Sequence, residues 1–191
     1  MPSLAELAVE ASTCTRCPLS AGRTQVVWGE GDPRAGLLVV GEGPGRDEDR
    51  EGRPFVGRSG RLLERLLAEE AGLRRDQVYI ANVVKCRPPG NRDPLPAEIE
   101  ACWPYLEAQV ELVHPAVVLT LGNFATRLLL ATSERISDLR GRIYPWGPSG
   151  TVVVPTFHPA AALRGGGEVQ TRMRADIVRA KEALAGAAGR T

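Results

Sequence analysis

The sequence predicts an α/β domain, a three-layer αβα arrangement with helices on both faces of a central, mostly parallel four-stranded sheet. Three observations predict it. Four short apolar runs, LLVVG (37–41), VYIANVVK (78–85), AVVLTLG (116–122) and TVVVPTF (151–157), each have the length and content of a buried strand. Stretches of helical period separate them, the alternation that sets parallel strands between two helical layers. The 191 residues, 43% hydrophobic and 25% charged, suit one compact domain over 1–191 with a sizeable core.

The elements follow in order. Ser3 can cap a short helix carrying Leu4, Leu7 and Ala8, which stops before CTRCPL. The first strand empties into the glycine-rich stretch GEGPGRDEDREGRPFVGRSG (41–60), where Ser59 can cap a helix with Leu62, Leu63, Leu66 and Leu67. A proline-rich loop follows the second strand. Pro96 fits the first turn of a helix running through Leu112. NFATRLLLA forms the helix after the third strand, Gly165–Gly167 form a loop tip, and Glu168–Leu184 form the closing helix. The chain carries no internal repeat and no linker.

Composition narrows the function classes. No apolar run is long enough to span a bilayer, and MPSLAELAVEAS lacks the basic start and apolar core of a secretion signal, so a cytoplasmic protein without membrane contact is expected. A net charge of +1 leaves room for a local basic face. Four cysteines in such a chain point to metal or catalysis rather than disulfides. Cys14 and Cys17 form a C-x-x-C pair, whereas Cys86 and Cys102 lie apart on a loop and the following helix. Four thiolates suit a [4Fe–4S] cluster, and the loose second pair makes zinc the lesser choice.

Ligands of a parallel sheet bind beyond the carboxyl ends of its strands, and three segments converge there: GEGPG, Asn82–Arg87 and FHPAAALR. The glycine-rich stretch has neither GK[ST] nor G-x-G-x-x-G, and its crowded carboxylates would repel a pyrophosphate. Asp47, Asp49 and Glu51 read as a solvated turn. Glu42 stands between two glycines at the strand end, where a carboxylate can orient or deprotonate a water. Phe55 offers a stacking face in a polar segment. Asn82, near the end of an apolar strand, is costly to bury unless its amide is paired. A uracil edge pairs it, because O4 accepts and N3–H donates; cytosine presents a donor at position 4 and mismatches. His158 ends a strand at the same edge, while His114, before Pro115, reads as structural.

Together, CTRCPL, GEGPGRDED, GRPFVGRSG, YIANVVKCRPPGNRDPLPAEIEAC, LRGRIY and FHPAAALR, in this order, make the chain resemble the family 4 uracil-DNA glycosylases, the bacterial and archaeal iron-sulphur type, over nearly its whole length. The resemblance implies a repair enzyme that extrudes uracil from single- or double-stranded DNA and hydrolyses its N-glycosidic bond, and a monomer is expected. It implies a [4Fe–4S] cluster on Cys14, Cys17, Cys86 and Cys102. It assigns water positioning to Glu42, stacking to Phe55, uracil recognition to Asn82 and the leaving base's O2 to His158, with Gly43 lining the pocket and Glu48 crowding the thymine methyl position.

Ser59, Ala162, Leu163 and Arg164 are expected to touch DNA. Where the family commonly has Ser after His-Pro and then two large apolar residues, this chain has Ala160, Ala161, Ala162 and Leu163. A weak wedge at Ala162 predicts excision fastest from single strands, slower from U·G and slowest from U·A. CRPPGNRDPLP lacks the histidine of a related branch that becomes trapped on its product, so trapping is not expected. Two other classes compete: a catalytically silent iron-sulphur protein binding uracil or single-stranded DNA, and an electron carrier. The joint presence of Glu42, Asn82 and His158 speaks against the silent protein.

Overall fold

A computed structural model describes residues 2–189. In chain order the elements are α1 (Leu4–Ser12), α2 (Leu19–Gly22), β1 (Glu30–Gly31), β2 (Leu37–Gly41), α3 (Arg46–Glu51), α4 (Arg58–Leu66), β3 (Tyr79–Asn82), α5 (Pro96–Val113), β4 (Val117–Leu121), α6 (Asn123–Leu130), α7 (Ile136–Leu139), β5 (Tyr144–Trp146), β6 (Thr151–Thr156) and α8 (Pro159–Ala188). The sheet has six strands in the order β1-β3-β2-β4-β6-β5. Its four central strands pair in parallel and are the four that the apolar runs predict. The two additional strands lie antiparallel at the edges. One has two residues and the other contains Pro145, which an edge strand tolerates, so neither carries an alternating apolar signal.

Alternation along β2 builds the two cores. Leu38 and Val40 pack with Leu106, Val110 and Leu129, from α5 and α6. Leu37 and Val39 point the other way, into Leu63, Leu66, Met173 and Ile177 from α4 and α8. The side chains of β2, β3 and β4 are buried throughout, as strands covered on both faces must be.

Helix ends are set by local chemistry. Ser3 accepts from the Glu6 amide while the Glu6 carboxylate accepts from the Ser3 amide, so the expected cap of α1 is present as a reciprocal pair. The expected cap at Ser59 is not: Gly57 caps α4, and Ser59 sits in its first turn. The acid-rich turn is also a helix. In α3 the carboxylates Asp47, Glu48 and Asp49 fall in the first turn, where they complement the helix dipole. Asp49 is buried rather than solvated, and accepts from the Thr24 amide at 2.9 Å, tying α3 to the segment after α2. α8 begins at Pro159, well before Glu168, and its backbone breaks at Gly166 (φ 69, ψ −155), so FHPAAALR turns directly into a helix. His114 ends α5 in a left-handed conformation, the structural role expected of it. Among the described residues no helix is long and apolar enough to cross a membrane.

Candidate active site

The parallel strands β2, β3, β4 and β6 deliver their carboxyl ends to one cleft of about 830 Å³. Register holds the ends level. Gly41 pairs with Asn82, and beyond the strands the Val83 and Val84 amides donate to the carbonyls of Gly41 and Glu42 at 2.9 and 3.0 Å. Glu42, Gly43, Glu48, Phe55, Ser59, Asn82, His158 and Arg164 all line the cleft, so eight of the expected site residues are brought together.

Asn82 is 1% exposed, and its Oδ1 is the one buried side-chain oxygen or nitrogen among the described residues that has no hydrogen-bond partner. A buried acceptor left so costs free energy unless a ligand supplies an N–H. Gly41 makes the approach possible: a Cβ there would lie 2.4 Å from the Phe55 ring and 2.5 Å from Asn82 Oδ1. Behind Asn82, its own carbonyl accepts from the Lys85 ammonium at 2.7 Å, and Lys85 also donates to Gln109.

Phe55 is both core and wall. Its ring packs among Leu62, Leu63 and Ile80, yet it lines the cleft 5.8 Å from the His158 ring. Glu48 reaches from α3 to hold this wall: its carboxylate accepts from the Val56 and Gly57 amides at 3.1 and 3.0 Å and from Gly45 at 3.1 Å. That anchoring is a second task for Glu48, beside its place on the cleft.

His158 is the N-cap of α8, and its Nδ1 accepts from the Ala160 amide at 3.1 Å. Only an unprotonated Nδ1 can accept, so the ring proton sits on Nε2. Burial, with the Arg164 guanidinium adding to it and outweighing Glu48, pushes the imidazole down to about 4. At neutral pH the ring is therefore a neutral donor. Glu42 moves the other way. Burial, with Asp93 nearby, raises its carboxyl to about 7.

Two DNA-contact expectations change. Ala162 is 2% exposed and packs in the core formed by α4 and α8, so it is no wedge and cannot set a substrate preference from the surface. Leu163, at 41% exposure, is the large apolar side chain of FHPAAALR left on the surface, and it does not line the cleft. Phe157, at the head of FHPAAALR, lines the cleft as that segment's convergence implies, whereas Asn123 and Asp93 also line it without having been singled out. Asn123 directly follows the predicted run AVVLTLG, with Gly122 between it and the end of β4, so the strand-end rule applied to the third predicted strand finds it. Asp93 lies in a proline-rich loop that carries no such signal.

All four cysteines line a second cavity, between the α1–α2 turn, the loop after β3, and α5. The Arg16 amide lies 3.5 Å from Cys14 Sγ, the Arg23 guanidinium 3.4 Å from Cys86 Sγ, and the Lys85 amide 3.3 Å from Cys102 Sγ. At Cys86 and Cys102 burial outweighs these N–H groups, pushing the Cys86 thiol up to about 11 and raising that of Cys102. Among the described residues no three His, Cys, Asp or Glu are placed to hold a single metal ion. Four cysteine sulphurs on one cavity are the kind of donor set that sulphur-ligated metal centres use.

Against known proteins, the model of the Uracil DNA glycosylase superfamily matches residues 28–183. The chain is 48% identical over 170 residues to a Type-4 uracil-DNA glycosylase of Thermotoga maritima, covering 88% of each. It is 47% identical over 169 residues to one from Sulfurisphaera tokodaii, covering 85% of this chain and 77% of that protein. A third, from Saccharolobus solfataricus, is 44% identical over 190 residues, covering 96% of this chain and 88% of its own length. A match that takes in both the strand ends and the helices behind them, with relatives this similar, means that the chain belongs to the uracil DNA glycosylase superfamily.

Proposed function

We propose that this chain is a DNA-repair uracil-DNA glycosylase, which hydrolyses the N-glycosidic bond of an extruded uracil and leaves an abasic site. The observation that carries it is the unpaired, buried Oδ1 of Asn82 on the wall of a cleft shared with Phe55 and His158. Uracil N3–H supplies the missing donor and O4 takes the amide N–H. Phe55 covers the base. As the bond from C1′ to N1 breaks, its electron pair moves onto the base, and the Nε2–H of His158 donates to O2 where that charge gathers. Glu42 orients the water that adds to C1′ and takes its proton. Gly43 and Glu48 shape the pocket, Ser59 and Arg164 on its lining meet the DNA, and the exposed Leu163 next to Arg164 in the chain is the apolar contact beside them.

The four cysteines hold a [4Fe–4S] cluster in this reading, on the donor set and cavity described above. Its contribution is architectural: it ties the N-terminal helices to the loop that follows Asn82. The protein works as a cytoplasmic monomer of one domain on single- or double-stranded uracil-containing DNA. A silent binding protein would have no use for a neutral donor and a carboxylate lining the same cleft.

The direct test incubates purified protein with an oligonucleotide containing one uracil and looks for alkali-labile breaks, with iron and sulphide measured on an anaerobic preparation. Breaks at the uracil, and an iron-loaded brown protein, are expected. No breaks overturns the activity, and zinc without iron overturns the cluster.

Glu42 sets the pH dependence. As a base it acts when ionised, so the single-turnover rate should rise with pH and level off above about 7, while His158 adds no further ionisation above about 4. The same raised value costs stability. The folded state binds the extra proton between the ordinary carboxylate range and about 7, so stability falls as pH rises through that window. Glu42→Gln should therefore abolish the rate's acid limb and raise the melting temperature at pH 8 but not at pH 4. A rate flat from pH 5.5 to 8 in the unaltered protein would remove Glu42 from the role of base.

A further inference from the structure

Phe55 adopts φ 52, a left-handed conformation that a large side chain rarely takes. Something outside the cleft has to hold it. Arg75, in the turn before β3, does not line the cleft, and only 15% of its side chain is exposed. Its guanidinium donates to the Phe55 carbonyl at 2.9 Å and to the Pro54 carbonyl. Glu64 of α4 accepts at 2.8 Å from the same Nη1 that bonds the Phe55 carbonyl, and Glu30 of the edge strand accepts from Nε, so the guanidinium is held from both ends. From below, α4 closes on the same peptide, since a Cβ at Gly60 would lie 1.8 Å from the Phe55 oxygen.

We infer that Arg75 is a positioning residue for base stacking: by gripping the carbonyls of Pro54 and Phe55 in one planar fork, it holds Phe55 in the conformation that presents its ring to the cleft. Two adjacent carbonyls and two carboxylates take four N–H groups diverging in one plane, which a guanidinium offers and an ammonium does not. The edge strand gains a purpose from this. β1 is two residues long, and Glu30 on it anchors both Arg75 and Arg53.

The inference rests on the glycosylase reading for what the ring stacks on, but its first test does not. The chain has three phenylalanines, so the protein labelled with 4-fluorophenylalanine gives three ¹⁹F resonances, and the one lost in Phe55→Ala belongs to Phe55. Arg75→Met should shift or broaden that resonance and leave those of Phe124 and Phe157 in place. Arg75→Lys should move it the same way, and serves where the methionine variant does not fold. A Phe55 resonance unmoved by both substitutions overturns the inference, whether or not the protein cleaves uracil DNA. The second test is a double-mutant cycle on the half-saturating enzyme concentration for a single-stranded uracil oligonucleotide. Arg75→Met and Phe55→Ala should each raise it by about tenfold, and the double variant by no more than Phe55→Ala alone. Effects that multiply in the double variant would show that Arg75 supports the fold without acting through the ring. Failure of the unaltered protein to cleave uracil would overturn the glycosylase reading and leave the ¹⁹F result to decide Arg75.

Discussion

His158→Ala is expected to lower the single-turnover rate of uracil excision by about 10²- to 10³-fold, the scale on which a positioned anion-stabilising donor acts. Half-saturation should change little, because the donor matters most once charge has moved onto the base. The expectation depends on the tautomer. With Nδ1 committed to the Ala160 amide at 3.1 Å, the single ring proton is on Nε2 and available to a ligand. The low value of about 4 means that the imidazole donates without first losing a charge. It also gives the substitution a stability signature. In the folded state the ring binds its proton only near pH 4, against about 6.5 unfolded, so the folded protein loses stability as pH falls through that window. His158→Ala should remove that acid sensitivity while losing the helix cap, costing about 1 kcal/mol at neutral pH. Rates within threefold of the unaltered protein, in a folded variant, would assign the developing charge to another donor.

How far the sequence foretold this site depends on what each residue's position rests on. β2, β3, β4 and β6 are legible because burial on both faces leaves an uninterrupted apolar run. β1 and β5 are edge strands too short for any period. α3 is hidden for a different reason: RDEDRE has no apolar stripe, and its helix is favoured by acids near the N-terminus and by Gly52 in the left-handed conformation at its end. Ala162 was misplaced through helix phase. A closing helix begun at Glu168 leaves FHPAAALR as a free loop, whereas a helix begun at Pro159 turns Ala162 inward, into the same core as Met173 and Ile177. Glu42, Asn82 and His158 could be placed because strand ends converge whatever the loops do. The tautomer of His158, the orphaned oxygen of Asn82 and the reach of Arg75 depend on distances of a few ångströms between distant segments, and no local pattern encodes them.

Asn82→Leu should make the protein more stable and nearly inactive at once. The unpaired Oδ1 is a cost borne by the free protein, because a buried acceptor without a donor forfeits its hydration. Leucine has nearly the same shape and asks for no partner. Recovering about 1 kcal/mol of that cost would raise the melting temperature by about 2 to 4 °C in a chain of this size. Excision should fall by about 10²-fold or more, since two hydrogen bonds to uracil, each worth roughly 1 to 1.5 kcal/mol, are lost together. The uracil edge would also be left unpaired against an apolar wall. Asn82→Ala separates packing from recognition: it removes the same bonds but opens a gap beside Gly41 and Phe55, so activity should fall similarly while stability does not rise. The measurement pairs thermal melts of the free proteins with single-turnover excision at one salt concentration. If Asn82→Leu melts lower than the unaltered protein and still excises uracil at its rate, the oxygen has a partner in the free protein and the base is read elsewhere in the cleft.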